Sequence, residues 1–128
     1  MKSYSPEDIM KAIVDSKSRT IFSSIAKGDN DNLKLMQGFT KKQFYSRTGR
    51  MMKIGLIVRS RGKFSLTCFG LVVYHAQLQI ENALNNYWKL KAIDSIQSSE
   101  QIGEEERTKL IKTILSDQMI ESILVRNW

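Results

Sequence analysis

The sequence predicts a mainly α-helical protein with one small β-hairpin, an α+β class, and three of its features carry that expectation. Helix-start signals recur ahead of apolar residues spaced three and four apart. Two short β-prone runs flank the charged glycine turn Arg59-Ser60-Arg61-Gly62-Lys63. From Phe69 to Leu90 an apolar stripe alternates steps of four and three, the period of a helix that pairs with another helix.

Ser5-Pro6-Glu7-Asp8 opens the first helix with a capping hydroxyl, a proline at the first helical position and carboxylates facing the positive end of the dipole. Ile9, Ala12 and Ile13 give it an apolar side. After the polar break Asp15-Ser16-Lys17-Ser18, residues Ile21, Phe22, Ile25 and Ala26 continue at helical spacing until Gly28. Asn30 or Asp31 caps a short segment in which Leu33 and Met36 lie three apart, Gly38-Phe39 breaks it, and Thr40 caps a further helix. There Phe44, Thr48 and Met51 share one face, with Lys42, Gln43, Ser46, Arg47 and Arg50 largely on the other.

Gly55-Leu56-Ile57-Val58 ends that helix and begins a β-run, to which Phe64-Ser65-Leu66 returns as the second strand. Thr67 then caps one long helix expected from about Cys68 to Ile96, with the stripe Phe69, Val73, Ala76, Ile80, Ala83, Tyr87 and Leu90. At ~1.5 Å per residue it would run roughly 44 Å, more than a domain of about 75 residues covers, so its distal half calls for a partner. Ser98-Ser99-Glu100-Gln101-Ile102-Gly103 reads as a linker. Glu104-Glu105-Glu106 opens a last helix carrying Leu110, Ile111, Ile114, Leu115, Ile120, Ile123 and Leu124.

The 128 residues suffice for one packed core, and the charge of +7 is unevenly spread. Residues 1–75 hold 14 basic and 5 acidic groups, whereas residues 76–128 hold 6 and 8. The division expected is a basic domain over 1–75 and a dimerising region over 68–128. Between Asp31 and Glu81 there is no acid at all, while Lys34, Lys41, Lys42, Arg47, Arg50, Lys53, Arg59, Arg61 and Lys63 all fall there. Nine cations of one sign repel one another, and a polyanion offsets that repulsion, so nucleic acid is the first candidate partner. No apolar run approaches the ~20 residues of a membrane span and the amino terminus lacks a signal-peptide core, so no membrane role and a cytoplasmic, nucleoid-associated location are expected. Cys68, the single cysteine, excludes an intrachain disulfide and a thiolate metal cluster; neither a metal nor a cofactor is expected.

Helix, helix, the Gly38-Phe39-Thr40 turn, a donor-rich helix, Gly55-Leu56-Ile57, a basic hairpin, then Leu66-Thr67 with Gly70 and a helix: over about residues 8–97 this order resembles the prokaryotic winged helix-turn-helix domain of small archaeal and bacterial transcription regulators. The resemblance implies that the helix from Thr40 is a recognition helix and that residues 59–63 are the wing. The helix after Thr67 further resembles the dimerising helix of archaeal winged-helix proteins. Two positions depart from the pattern: Gln37 precedes the turn glycine where an apolar residue is usual, and Gly49 lies inside the recognition helix, where glycine costs ~1 kcal/mol relative to alanine.

In such a domain the helix reads base edges in the major groove and the wing touches the flanking backbone or minor groove. Arg47 then suits guanine O6/N7 and Gln43 adenine N6/N7. Lys41, Lys42, Lys53, Lys63 and Arg59 suit phosphates, with Ser46 and Arg50 on the same donor face and Tyr45 reaching a phosphate through its hydroxyl. Arg61 at the hairpin tip suits a narrow minor groove. Val73, Ala76, Ile80, Ala83, Leu84, Tyr87, Trp88 and Leu90 are the expected seam of a homodimer, Tyr87 and Trp88 being interface core in preference to a ligand pocket. Cys68 reads as a small buried residue and His75 as a packed or surface histidine, since two helical turns separate them.

The expected function is a dimeric, sequence-specific double-stranded DNA-binding regulator. An architectural chromatin protein with little sequence preference is one alternative. A winged-helix module docking on a transcription or RNA-processing assembly is another. An enzyme is not expected, because the basic segment offers no carboxylate, metal-ligand cluster or nucleophile-base pair.

Overall fold

In the computed structural model, which describes residues 4–29, 31–99 and 101–127, the chain is mainly helical with a two-stranded antiparallel hairpin. The elements are α1 (Pro6–Ala12), α2 (Ser16–Ala26), α3 (Asn32–Leu35), α4 (Lys41–Lys53), β1 (Ile57–Ser60), β2 (Lys63–Leu66), α5 (Cys68–Asn85), α6 (Tyr87–Ser99), α7 (Glu104–Ile114) and α8 (Gln118–Arg126). They group into two compact units, residues 1–75 and 76–128. Asn30 and Glu100, which the sequence places at a cap and in a linker, lie outside the described residues.

Helix starts in the first unit follow their capping residues. Ser5 Oγ accepts from the Asp8 amide at 3.3 Å and Asp8 Oδ2 accepts from the Ser5 amide at 2.9 Å. Thr40 and Gln43 make the same reciprocal box on α4, at 3.1 and 3.2 Å. Each box satisfies amide groups that have no partner inside the helix. The helix faces then close over one core that includes Ile21, Phe22, Ile25, Phe44, Met51, Leu56 and Phe64. Phe44 and Phe64 meet edge to face at 6.1 Å, which fastens α4 to the hairpin. Thr48 is fully buried, and its hydroxyl donates to the Phe44 carbonyl at 3.0 Å, so no orphan polar group results.

The hairpin pairs Ile57 with Leu66 and Ser60 with Lys63. Arg61 and Gly62 between them have φ of 53° and 77°, the two left-handed positions of a turn whose twist matches the strands. Asn32 Nδ2 donates to the Gly62 carbonyl at 3.3 Å and ties α3 to the tip.

Helix α4 ends where Gly55, at φ 84°, donates to the Met52 carbonyl at 3.1 Å and Leu56 to the Met51 carbonyl at 2.9 Å. The chain returns to this point after the hairpin. The Thr67 amide donates to the Leu56 carbonyl at 3.1 Å, the Thr67 hydroxyl donates to the Gly55 carbonyl, and the same hydroxyl accepts from the Gly70 amide at 2.9 Å. Gly70 is required here, since a Cβ would lie 1.9 Å from the Leu56 carbonyl oxygen.

In the second unit Ile93, Ile111, Leu115 and Ile120 form the buried core, with Leu90, Ile114 and Leu124 packed on it. Arg107, 2% exposed, donates from Nη1 to the Leu124 carbonyl at 3.3 Å, and burial draws its pKa below the usual guanidinium value against the opposing charge of Glu104.

Three expectations are corrected. The helix from Cys68 to Ile96 is interrupted at Asn86, where the side-chain amide donates to the Asn82 carbonyl at 2.8 Å alongside the backbone amide at 3.1 Å. The helical residues beyond it bury Ile93 within the chain's own second unit. The last helix is two helices, because Leu115 turns extended at ψ 134° and Asp117 Oδ1 caps a new start by accepting from Met119 and Ile120 at 3.0 and 3.1 Å. Cys68, expected to be buried, is exposed at the first turn of α5.

Replacing Gly70 by alanine should destabilise the protein by about 3 kcal/mol, because the Leu56 backbone has to move to admit a methyl group. Urea unfolding measures this. A loss under about 0.5 kcal/mol would show that the junction relaxes freely.

Candidate functional site

The basic segment is displayed on α4 and on the hairpin. The capping box at Thr40 starts α4, and burial of Phe44, Thr48 and Met51 fixes its rotation. Lys42, Ser46 and Arg50 therefore follow one another at steps of four along the outer side, with Lys53 one turn beyond. Lys41, Lys42, Ser46, Arg50 and Lys53 are exposed, as is Tyr45 at 45%. At the end of the helix the Tyr4 hydroxyl donates to the Lys53 carbonyl at 3.1 Å. Gly49 sits in the middle of this outer face.

On the hairpin Arg59, Arg61 and Lys63 are exposed. Arg59 stands opposite Phe64, its guanidinium 5.4 Å from the ring centroid, so its stem lies over the core while the charge meets solvent. Arg61 is placed at the tip by its left-handed backbone.

Two of the nine cations have acidic partners, both supplied from outside the acid-free stretch. Lys34 Nζ lies 3.3 Å from Asp29. Arg47 donates through Nη2 and Nε to Asp15 Oδ2 at 2.8 and 3.2 Å, and through Nη1 to the Gln43 carbonyl at 3.4 Å. Among the described residues the other seven, Lys41, Lys42, Arg50, Lys53, Arg59, Arg61 and Lys63, make no ion pair.

Arg47 and Gln43, the expected base readers, both have contacts within the protein. Both lie at the flank of the buried face of α4 and both are half-buried. Arg47 is held by Asp15, and Gln43 Oε1 is engaged by the Thr40 amide. The Thr-x-x-Gln spacing is legible as a capping box; the Asp15 partner, 32 residues away, is not. Asp15 does two tasks, accepting from the Ser18 amide at 3.1 Å to cap α2 and gripping Arg47. Hydrogen bonding from Ser18 is the largest effect on its carboxyl, burial opposes it, and the Arg47 guanidinium adds to the lowering, which leaves the pKa at about 2.

The expected dimer residues separate into two groups. Val73 packs on the first unit's core and Leu90 on the second unit's, and both are half-buried. Ala76, Ile80, Leu84, Tyr87 and Trp88 are exposed, Ile80, Leu84 and Trp88 at 70%, 72% and 77%, and Ala83 is half-buried. Val72, at 69%, is an exposed apolar residue of α5 that the expected seam omits. The contact of Gly70 with Leu56 turns residues 70, 73 and 74 inward, which leaves 69, 72 and 76 outward. The glycine in an otherwise apolar helix was the available signal. His75 is exposed beside Tyr74, their rings 6.1 Å apart. Among the described residues no helix is long and apolar enough to cross a membrane.

Because the Asp15 carboxyl has a depressed pKa in the folded state, its stabilising effect is present above the ordinary value near 4 and is lost as pH falls towards about 2. The carboxylate is 43% exposed, so screening reduces the effect to about 1 kcal/mol. Unfolding of Asp15→Asn should accordingly show a flatter pH dependence than wild type across that window, with the two stabilities converging at its acid end. Parallel curves would show that the carboxylate carries no net stability.

Comparison of the chain with protein-family models, with curated proteins and with solved structures finds no match.

Proposed function

We propose that this protein is a dimeric, sequence-specific regulator that binds double-stranded DNA through a winged helix-turn-helix, with α4 in the major groove and the tip at 59–63 as a wing on the flanking groove or backbone. The observation that carries this reading is the set of seven cations without acidic partners on α4 and on the hairpin fastened to it by Phe44 and Phe64. Their mutual repulsion is relieved by a polyanion, and neutralised phosphates release counterions. The short α3, the turn at Gly38 with φ 84° and the capped α4 supply the helix-turn-helix order that the reading needs.

With Gln43 in the capping box and Arg47 paired to Asp15, base reading falls to Arg50 and Ser46 on the outer face. Arg50 has a free guanidinium fork that matches guanine O6/N7. Lys41, Lys42, Lys53, Arg59 and Lys63 neutralise phosphates, and Arg61 enters the minor groove. A second copy of the chain covers the exposed apolar residues of α5, on which Phe69, Val72, Ala76 and Ile80 recur at steps of three and four.

The engagement of Arg47 and Gln43 favours a second reading, an architectural protein with little sequence preference, because it removes two base readers. Selection of bound fragments from random duplexes, followed by salt titration of the best against a scrambled one, separates the two. A preference of roughly a thousandfold or more supports the regulator. Tight sequence-blind binding supports the architectural protein, and no binding at moderate salt removes both.

Arg50→Ala should weaken specific binding by ~1–3 kcal/mol while sparing non-specific affinity, and Lys42→Ala should weaken both and flatten the salt slope. Arg47→Ala should lower folding stability and leave sequence preference in place. Equal losses on specific and scrambled DNA for Arg50→Ala would remove its role in base reading. In sedimentation, Ile80→Glu should shift a wild-type dimer towards monomer; an unchanged dimer would place the seam elsewhere.

A further inference from the structure

The chain has two glycines within helices, and only one has an internal reason. Gly70 is forced by the Leu56 carbonyl. Gly49, in the interior of α4, has a φ outside the left-handed region, and a Cβ there would meet no atom within 4 Å. Nothing in the protein asks for glycine at this position, and a helix interior disfavours it.

Its surroundings indicate what does. Ser46 and Lys53 lie one turn to either side of it on the same face, Lys42 two turns back, and Arg50 next along the chain. A residue without a side chain, ringed by donors and cations, bares the helix backbone where a groove-bound helix faces its ligand. The remaining use of glycine is close approach of an external surface to that backbone.

Building on the DNA-binding reading above, we infer that Gly49 is the point of closest approach of α4 to the DNA, where base-pair edges at the groove floor pack against bare helix backbone. Gly49 sets how deeply α4 seats, and through that depth whether Ser46 and Arg50 reach base edges. A methyl group here lifts the whole helix, whereas a lost lysine removes one phosphate contact and leaves the seating unchanged.

The test uses the full chain, thermal unfolding, and binding to the best selected duplex and to a random-sequence duplex. Gly49→Ala should raise the melting temperature by roughly 3–5 °C, since a helix interior prefers alanine, yet weaken binding to the selected duplex roughly tenfold or more. Gly49→Leu should weaken it further while remaining folded. Lys42→Ala serves as the comparison, losing affinity on both duplexes without stabilisation. If Gly49→Ala stabilises but binds both duplexes as wild type does, while Lys42→Ala weakens both, the close approach is overturned and the DNA-binding reading stands. If wild type binds neither duplex at moderate salt, the reading falls and this inference falls with it.

Discussion

The Leu56 carbonyl is the point on which the first unit depends. It accepts the Thr67 amide, it lies against Gly70, and it follows the glycine that ends α4. That backbone group thus fixes where the hairpin closes and which face of α5 turns inward. The contact is too close for any side chain, so it acts as a hard-sphere constraint with no soft alternative. Its effect reaches well beyond its own size: because residue 70 must face Leu56, Phe69 and Val72 have to face away.

Electrostatics divides the basic segment in a way that charge counting misses. Asp15 and Asp29 reach into it from preceding elements and take one cation each. The Arg47 pair is the better formed, with two guanidinium nitrogens on one carboxylate oxygen at the edge of the core, where solvent screens it only in part. Arg47 thus acts as a strut between α2 and α4. Lys41, Lys42, Arg50, Lys53, Arg61 and Lys63 project from the surface without an acidic partner among the described residues.

Local signals in the sequence agree with the structure: the caps at Ser5 and Thr40, the buried face of α4 and the hairpin turn each depend on residues within a few positions of one another. Other features are not carried by apolar periodicity. The Asp15–Arg47 pair joins residues 32 apart with no periodic trace. The interruption at Asn86, where the side-chain and backbone amides both donate to the Asn82 carbonyl, leaves no trace in apolar spacing. Leu90 fitted the stripe, but α7 and α8 brought an apolar surface to it from within the chain. The donor face of α4 was legible as a face; which donors remain free was not, because that depends on what lies beside each one.

The hairpin tip carries an implication for how this sequence drifts under selection. Arg61 occupies a left-handed backbone position that costs a residue with a Cβ about 1–2 kcal/mol and that asparagine or glycine fills more readily. Selection for folding alone therefore pushes the position away from arginine. In a library of variants sorted only for solubility and stability, residue 61 should enrich asparagine and glycine. Retention of arginine under a second, unrelated sorting criterion would identify that criterion as one that values a guanidinium at the tip more than a relaxed turn.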